Sequence, residues 1–396
     1  MQGTLINRQI GSVFLIMGTE IGAGIQALPL LIAPLGIVLG SVLLIIFWAI
    51  MLYTALLICE ATYFMDGNST FASMAKNHFG KSGKFLMLII FWFTLSSIIM
   101  AYISAAGSTF SYILSEPTYL ASILFVIIFG IVIILGTKVV DYINRTLLSI
   151  TIVALLVAII SLLESLKFVN LQTSVNSSKV IYVLPAIATA FIVHNIIPSI
   201  STYLCYNKKS LKRVVIIGSL IPLIIYVVWI FSIYGNIPQL GPEGFESIFT
   251  SNGANVSNLL NLIAINTSSK VTLDLINFIV IMSITAAFLG ASISFFHFNQ
   301  DILNRNQKSI LNHFIVPAII TFIIPLFFVL RFPNIFISAL KYAGIGAIIL
   351  FIIFPVLITK IQLRSKKYSA STLLHNNIIL TLVFLLGIGI IFIQIL

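Results

Sequence analysis

The sequence is poor in charge. Asp, Glu, Lys and Arg together make up 8% of its 396 residues, and only 10 residues are acidic. A water-soluble fold of this size carries roughly a quarter of its residues as charge, so soluble enzymes and nucleic-acid binders are excluded. Cysteine is scarce: Cys59 and Cys205 alone offer no disulfide framework and no metal site. The acidic residues are scattered, without the clustered His, Asp or Glu of a membrane-embedded transferase, and neither rings of charge nor a carbonyl-rich filter of a channel can be found. No enzyme activity, cofactor or metal is expected. What abounds is apolar, with 60% hydrophobic residues and 31 Phe. Such a chain resides in a lipid bilayer.

A membrane-spanning helix needs about 20 mostly apolar residues. Apolar runs between polar breaks predict eleven spans, near 9–36, 40–64, 85–114, 119–137, 146–166, 180–205, 213–235, 273–300, 310–330, 334–359 and 374–395. The expected fold class is therefore an all-α polytopic membrane protein. Only 236–272, with Gly241, Pro242 and Gly253, reads as a long connection, its composition suiting a surface loop with one short helix. With alternate loops on opposite sides, only Lys167, Lys179, Lys270 and Arg331 fall opposite the N-terminus, and Lys341 lies within a span. The remainder of the 21 Lys and Arg collect on the N-terminal side. That bias predicts a cytoplasmic N-terminus and, after eleven crossings, a periplasmic C-terminus. It also accounts for the net charge of +11 without nucleic acid.

Two spans carry helix-breaking residues at mid-membrane depth. The first reads Gly18-Thr19-Glu20-Ile21-Gly22-Ala23-Gly24-Ile25-Gln26-Ala27-Leu28-Pro29. Glycines, a carboxylate and a proline weaken a helix where lipid supplies no replacement hydrogen bonds, and broken backbone survives there only around a cavity. Close helix packing is the competing use of such glycines. The sixth span places His194-Asn195 between Pro185 and Pro198; a hydrogen-bonded interhelical histidine is the plainer alternative there. Spans one and six lie five apart, so two five-span repeats, 9–166 and 180–359, would run in opposite directions, with 374–395 appended. That is the inverted-repeat plan of secondary transporters, whose substrate site lies at paired broken helices. Amide N–H groups around Ile21, Gly22, Ala23 and Gly24 are expected to hold a carboxylate. Carbonyls near Gly18, Ala190, Phe191 and Val193 would accept from an ammonium. An amino acid is the simplest ligand with both groups.

The motif Gly18-Thr19-x-Ile21-Gly22-Ala23-Gly24 with Ala27-Leu28-Pro29, Tyr102-Ile103-Ser104 with Ala106-Gly107-Ser108, and His194 with Pro198-Ser199 resemble those of the bacterial aromatic amino-acid permeases. Glu60, Phe288-Leu289-Gly290-Ala291-Ser292 and Ala339-Leu340-x-Tyr342-Ala343-Gly344 are similar too, so the resemblance covers most of the chain. It implies the five-plus-five fold of the amino-acid, polyamine and organocation superfamily, acting as a monomer in the bacterial inner membrane. It also implies proton-coupled import of tyrosine, tryptophan or phenylalanine, with tyrosine favoured by the third- and tenth-span motifs. Other neutral amino acids, or sodium coupling, are the alternatives. Carried over by position, Gly18 to Gly24, including Thr19, would hold the substrate backbone. Phe191, His194 and Asn195 would line the pocket, with Tyr102, Ser104, Phe288 and Tyr342 facing it.

Glu20 and Lys341 depart from the pattern of that family. Both are expensive in lipid and so are functional candidates. One expectation is a protonation-sensitive Glu20–Lys341 latch; for Lys341, about seven residues or roughly 10 Å inside its span, snorkelling competes. Gln26 is expected to contact a polar group of the substrate. Sodium sites in this fold use eighth-span hydroxyls, and here Thr285 is followed by Ala286 and Ala287, although Ser283 and Ser292 remain. A proton is therefore favoured, with Glu20, His194 and Lys341 as titratable candidates. Glu60 reads either as a solvated helix end or as part of an inner gate. Asp141 and Arg145, four apart, suit a surface ion pair. Trp48, Trp92 and Trp229 read as lipid-facing or packing residues.

Overall fold

A computed structural model describes residues 5–22, 24–64, 70–171, 180–250, 255–267, 269–302, 314–364 and 373–395. Among them every regular element is helical, and eight helices are long and apolar enough to cross a membrane. The protein is thus an all-α, multi-pass membrane protein. The helices are α1 (Leu5–Glu20), α2 (Gly24–Ile32), α3 (Gly36–Phe64), α4 (Phe71–Leu114), α5 (Thr118–Ile134), α6 (Thr137–Glu164), α7 (Val180–Thr189), α8 (Ile197–Tyr203) and α9 (Lys208–Asn236). They continue with α10 (Phe245–Thr250), α11 (Val256–Asn266), α12 (Lys270–Ile302), α13 (Val316–Ala318), α14 (Ile324–Arg331), α15 (Phe336–Ala347), α16 (Phe354–Arg364) and α17 (Asn377–Ile395).

Local sequence explains most boundaries. A 3₁₀ turn over Ala33–Leu35 is closed by Gly36 at φ 73°, a conformation that lets α3 leave at a new angle. Thr70 caps α4, its hydroxyl accepting from the Ser73 amide at 3.1 Å while the Ser73 hydroxyl accepts from the Thr70 amide at 2.7 Å. The expected third span, 85–114, is the distal part of α4; a short leading segment bends at Gly80, where φ is 71°. Asn207 caps α9 by accepting from the Ser210 amide at 2.9 Å.

Two features were not anticipated. The connection 236–272 holds two short helices, α10 and α11, rather than one, and α11 packs its buried Leu259, Leu260 and Ile263 against the bundle. Wider π-helical turns, Ile319–Ile323 and Ile348–Ile353, join α13 to α14 and α15 to α16. Each ends two residues before a proline, Pro325 or Pro355. The wider turn relieves the clash of the proline ring with the carbonyl four residues back.

Packing relies on small residues, as it must where lipid is as apolar as the side chains. A Cβ on Gly344 would run into the Pro185 carbonyl, and one on Gly346 into the Thr94 hydroxyl, so α15 lies close against α7 and α4. In the same way α12 packs on α6 and α4, α1 and α2 pack on α9, and α8 packs on α3. α17 lies along the π turn over Ile348–Ile353, with contacts to α7 and α16.

Candidate functional site

The first expected break is present: α1 stops at Glu20 and α2 starts at Gly24. The Ile21 amide donates to Met17 O at 2.8 Å, and the Gly22 amide closes a tight turn on Glu20 O at 2.7 Å. These two N–H groups are therefore occupied, contrary to the expectation that they stand free, and Ala23 lies outside the described residues. Pro29 has no N–H, so Ile25 O loses its helical donor. Trp229 supplies the replacement through Nε1 at 2.8 Å. Tyr234 donates to Pro29 O at 2.7 Å, and the Tyr226 hydroxyl donates to Glu20 O. Three aromatic donors from one face of α9 thus satisfy carbonyls along the broken helix. Trp229 is buried, the packing alternative of the reading from sequence, and its indole N–H adds a specific clamp on Ile25 O that the reading did not foresee.

The glycines of this stretch serve close packing as well. A Cβ on Gly18 would meet Leu148 Cδ2 at 2.6 Å, one on Gly22 the Ala287 Cβ at 2.8 Å, and one on Gly24 the Tyr226 phenol. Thr19 turns its hydroxyl back to Ile16 O at 2.8 Å. Glu20 is 3% exposed, and neither carboxylate oxygen has a hydrogen-bond partner. The expected Glu20–Lys341 hydrogen-bonded latch is consequently not formed here. Gln26 Nε2 donates to Val280 O at 3.1 Å and to the Ser283 hydroxyl at 2.7 Å, leaving Oε1 buried without a partner.

The second break spans Ala190 to Val193 and continues as a 3₁₀ turn, His194–Ile196, into α8. Pro185 inside α7 orphans Ile181 O, and Gln394 of α17 donates to it, the same repair that Trp229 makes on α2. His194 is buried. Its Nε2 is 3.0 Å from the Thr54 hydroxyl and its ring stacks on Phe351 with centroids 5.0 Å apart, while Nδ1 has no partner. Asn195 Oδ1 likewise has none. The histidine is thus half satisfied by its neighbours, between the two readings of the sequence.

The breaks meet through Tyr226, whose ring stands edge-on to Phe191 at 5.9 Å. Glu20, Gly24, Phe191 and Tyr226 therefore form one neighbourhood, and Ala190 and Val193 are buried beside Phe191 in sequence. Tyr102 is largely buried on α4. Three other candidates are directed elsewhere. Ser104 donates to Pro333 O at 2.8 Å. Phe288 packs edge-on to Phe125 at 4.8 Å, and Tyr342 is 51% exposed against Phe93. Of the hydroxyls considered for sodium, Ser283 is engaged with Gln26 and Val280, whereas Thr285 and Ser292 are buried without partners. Among the described residues no group of His, Cys, Asp or Glu could hold a metal ion.

Glu60, 4% exposed near the end of α3, is not a solvated helix end. Its carboxylate meets Lys212 Nζ at 2.6 Å, Lys208 Nζ at 3.5 Å and His375 Nε2 at 2.7 Å, and nearby Tyr53 donates to Leu374 O at 2.9 Å. Lys208 and Lys212 are one turn apart on α9, a spacing that sequence alone could have flagged. His375 is 315 positions away and carried no such signal. The Asp141–Arg145 surface pair is formed at 2.9 Å.

Comparison with known proteins extends these observations. The chain matches the Tryptophan/tyrosine permease family over residues 6–394. It is 31% identical over 386 residues to Tyrosine-specific transport system 1 of Haemophilus influenzae, covering 97% of this chain and 95% of that protein. It is 28% identical over 398 residues to Tyrosine-specific transport system 2 of the same organism, with 97% and 95% covered. Glutamine transporter 2 of Aliivibrio fischeri is 27% identical over 380 residues, 93% of this chain and 92% of that one. Over nearly its whole length, and with both broken helices in place, the chain belongs to the tryptophan/tyrosine permease family of membrane transport proteins.

Proposed function

We propose that this transporter imports an aromatic amino acid, tyrosine first, by proton symport and alternating access. The observation that carries this reading is the pair of interrupted helices, joined by the Tyr226–Phe191 ring contact and holding buried polar atoms without partners: Glu20 Oε1 and Oε2, Gln26 Oε1, His194 Nδ1 and Asn195 Oδ1. Polar atoms left unpaired at membrane depth are costly and point to a ligand or a proton that completes them. The substrate α-carboxylate and ammonium would bind between Gly18–Gly24 and Ala190–Asn195, and its ring against Phe191 and Tyr226, where ring–edge contacts add to apolar burial. Tyrosine is placed first because the relative named tyrosine-specific is 31% identical to this chain, against 28% for a relative of the same organism named tryptophan-specific.

Glu20 and His194 are proton-coupling candidates beside Lys341, and each of the two holds an unbonded polar atom where a proton can be gained and lost without breaking a structural bond. Two inverted five-helix repeats, 9–166 and 180–359, with 374–395 appended, agree with the exchange of packing partners: α1 lies on α9 while α8 lies on α3, and α4 lies on α15 while α12 lies on α6. Glu60 with its three bases would form the inner gate. The excess of Lys and Arg on one side favours a cytoplasmic N-terminus and periplasmic C-terminus in the bacterial inner membrane, with a monomer as the working unit. A second reading, a polar neutral substrate, is favoured by the unpartnered amide oxygens of Gln26 and Asn195 and by the relative named a glutamine transporter.

The test is [³H]tyrosine uptake into proteoliposomes under an inward proton gradient, with and without sodium. Excess unlabelled tyrosine, tryptophan, phenylalanine, glutamine or serine serves as competitor. Uptake that follows the proton gradient, ignores sodium and is blocked by the aromatics is the expected result. Block by glutamine or serine but not by tryptophan or phenylalanine would transfer the assignment to the polar reading, and uptake dependent on sodium would remove the proton.

A further inference from the structure

We propose that the Tyr226 hydroxyl is a placeholder for the substrate ammonium, holding the Glu20 carbonyl while the transporter is empty and yielding it when an amino acid binds. The inference rests on reading the first-span break as the amino-acid site.

Glu20 O lies at the end of α1, where the chain leaves the helix. It is among the carbonyls to which the positive end of a zwitterion is drawn, because the C-terminal end of a helix carries partial negative charge. A buried carbonyl there needs partners even without substrate. The Gly22 amide takes one lone pair at 2.7 Å, and the Tyr226 hydroxyl takes the other. The phenol is held for this task. Tyr226 is fully buried, its ring is braced edge-on against Phe191 of the second break at 5.9 Å, and Gly24 leaves room for it, since a Cβ there would land on the phenol. The same ring therefore touches both broken segments and caps the very oxygen on which an ammonium would settle.

The other donors of the α9 ladder differ in one respect. Tyr234 and Trp229 bind Pro29 O and Ile25 O, which belong to α2 beyond the break, at 2.7 and 2.8 Å. Tyr234→Phe is thus a matched control: it deletes the same kind of hydroxyl–carbonyl bond between α9 and the first broken span, on α2 and outside the break.

Removing the Tyr226 hydroxyl deprives the empty protein of a bond without depriving the occupied one. An ammonium then enters without displacing a donor. From the usual net worth of one hydrogen bond, Tyr226→Phe is expected to bind tyrosine roughly three- to tenfold more tightly. Net uptake should slow, because return of the empty carrier passes through the state that lost its cap, while tyrosine–tyrosine exchange, which never empties the site, is spared.

The experiment measures equilibrium binding of [³H]tyrosine to purified wild type, Tyr226→Phe and Tyr234→Phe, with competition by 3-(4-hydroxyphenyl)propionate, which lacks the ammonium. Net uptake and exchange are then followed in proteoliposomes. The placeholder predicts tighter tyrosine binding in Tyr226→Phe alone, no gain for the ammonium-free analogue, and exchange retained as net uptake falls. Unchanged or weaker binding in Tyr226→Phe, an equal gain in Tyr234→Phe, or an equal gain for the analogue overturns it. A wild-type protein that binds none of the aromatic amino acids overturns instead the reading of the break as their site.

Discussion

Glu20→Gln protein should retain exchange of internal for external amino acid but lose accumulation driven by a proton gradient, so that internal substrate only equilibrates with the medium. The carboxylate lies buried at the end of α1 with neither oxygen hydrogen-bonded, and the substitution keeps its size while removing its capacity to carry a proton. Because no structural hydrogen bond is lost, the variant should be recovered in wild-type amounts. Its uptake should also lose its dependence on external pH over the range in which the wild type responds. Accumulation ratios are measured in proteoliposomes with and without an imposed gradient. Undiminished accumulation would remove Glu20 from the coupling path and leave His194 and Lys341 as the candidates.

The largest loss of stability is expected at the opposite end of the second span. Glu60→Ala leaves the ammonium groups of Lys212 and Lys208 and the His375 ring facing one another around a largely buried position. Breaking a buried pair by removing one partner costs about 3–5 kcal/mol, an upper figure here because Lys208 and Lys212 are partly exposed. It should appear as a sharp fall in the thermal half-life of the detergent-solubilised protein. The double variant Glu60→Ala, Lys212→Ala should lose less than the two single changes added together, since one unpaired charge has been withdrawn. Strict additivity would mean that the 2.6 Å contact contributes nothing.

The two breaks were legible in the sequence because they are written in backbone chemistry. Glycines, Pro29 and Pro185 weaken helices wherever they stand, and intramembrane Glu20 and His194 are expensive enough to mark the place. What repairs those breaks was not legible. Trp229 and Ile25 are 204 positions apart, and Gln394 and Ile181 213 apart, and a donor aimed at an orphaned carbonyl has no local signature. Trp229 therefore read as a lipid-facing or packing residue. Tyr226, which joins the two breaks, drew no notice at all. The same limit applies to Glu60: its partners on α9 have helical spacing, but His375 arrives only through the fold.

Motif likeness also has a physical limit. Ser104, Phe288 and Tyr342 match a family pattern, but a match fixes a position along a helix and not the direction in which its side chain points. Ser104 is turned to Pro333 O, Phe288 into a ring cluster with Phe125, and Tyr342 to the exterior beside Phe93. The free amides expected at Ile21 and Gly22 fail for a related reason: a chain leaving a helix closes turns on itself before it offers donors to a ligand.

The most direct test of the central claim, that substrate occupies the space between the two breaks, is protection of a single cysteine. Ala190→Cys is introduced into a protein with Cys59 and Cys205 replaced by serine, and the rate of its modification by a small methanethiosulfonate is followed with and without tyrosine. Tyrosine is expected to slow modification in proportion to its occupancy of the site, while serine at the same concentration does not. An unchanged rate, in a variant that still takes up tyrosine, would place the substrate elsewhere and contradict it.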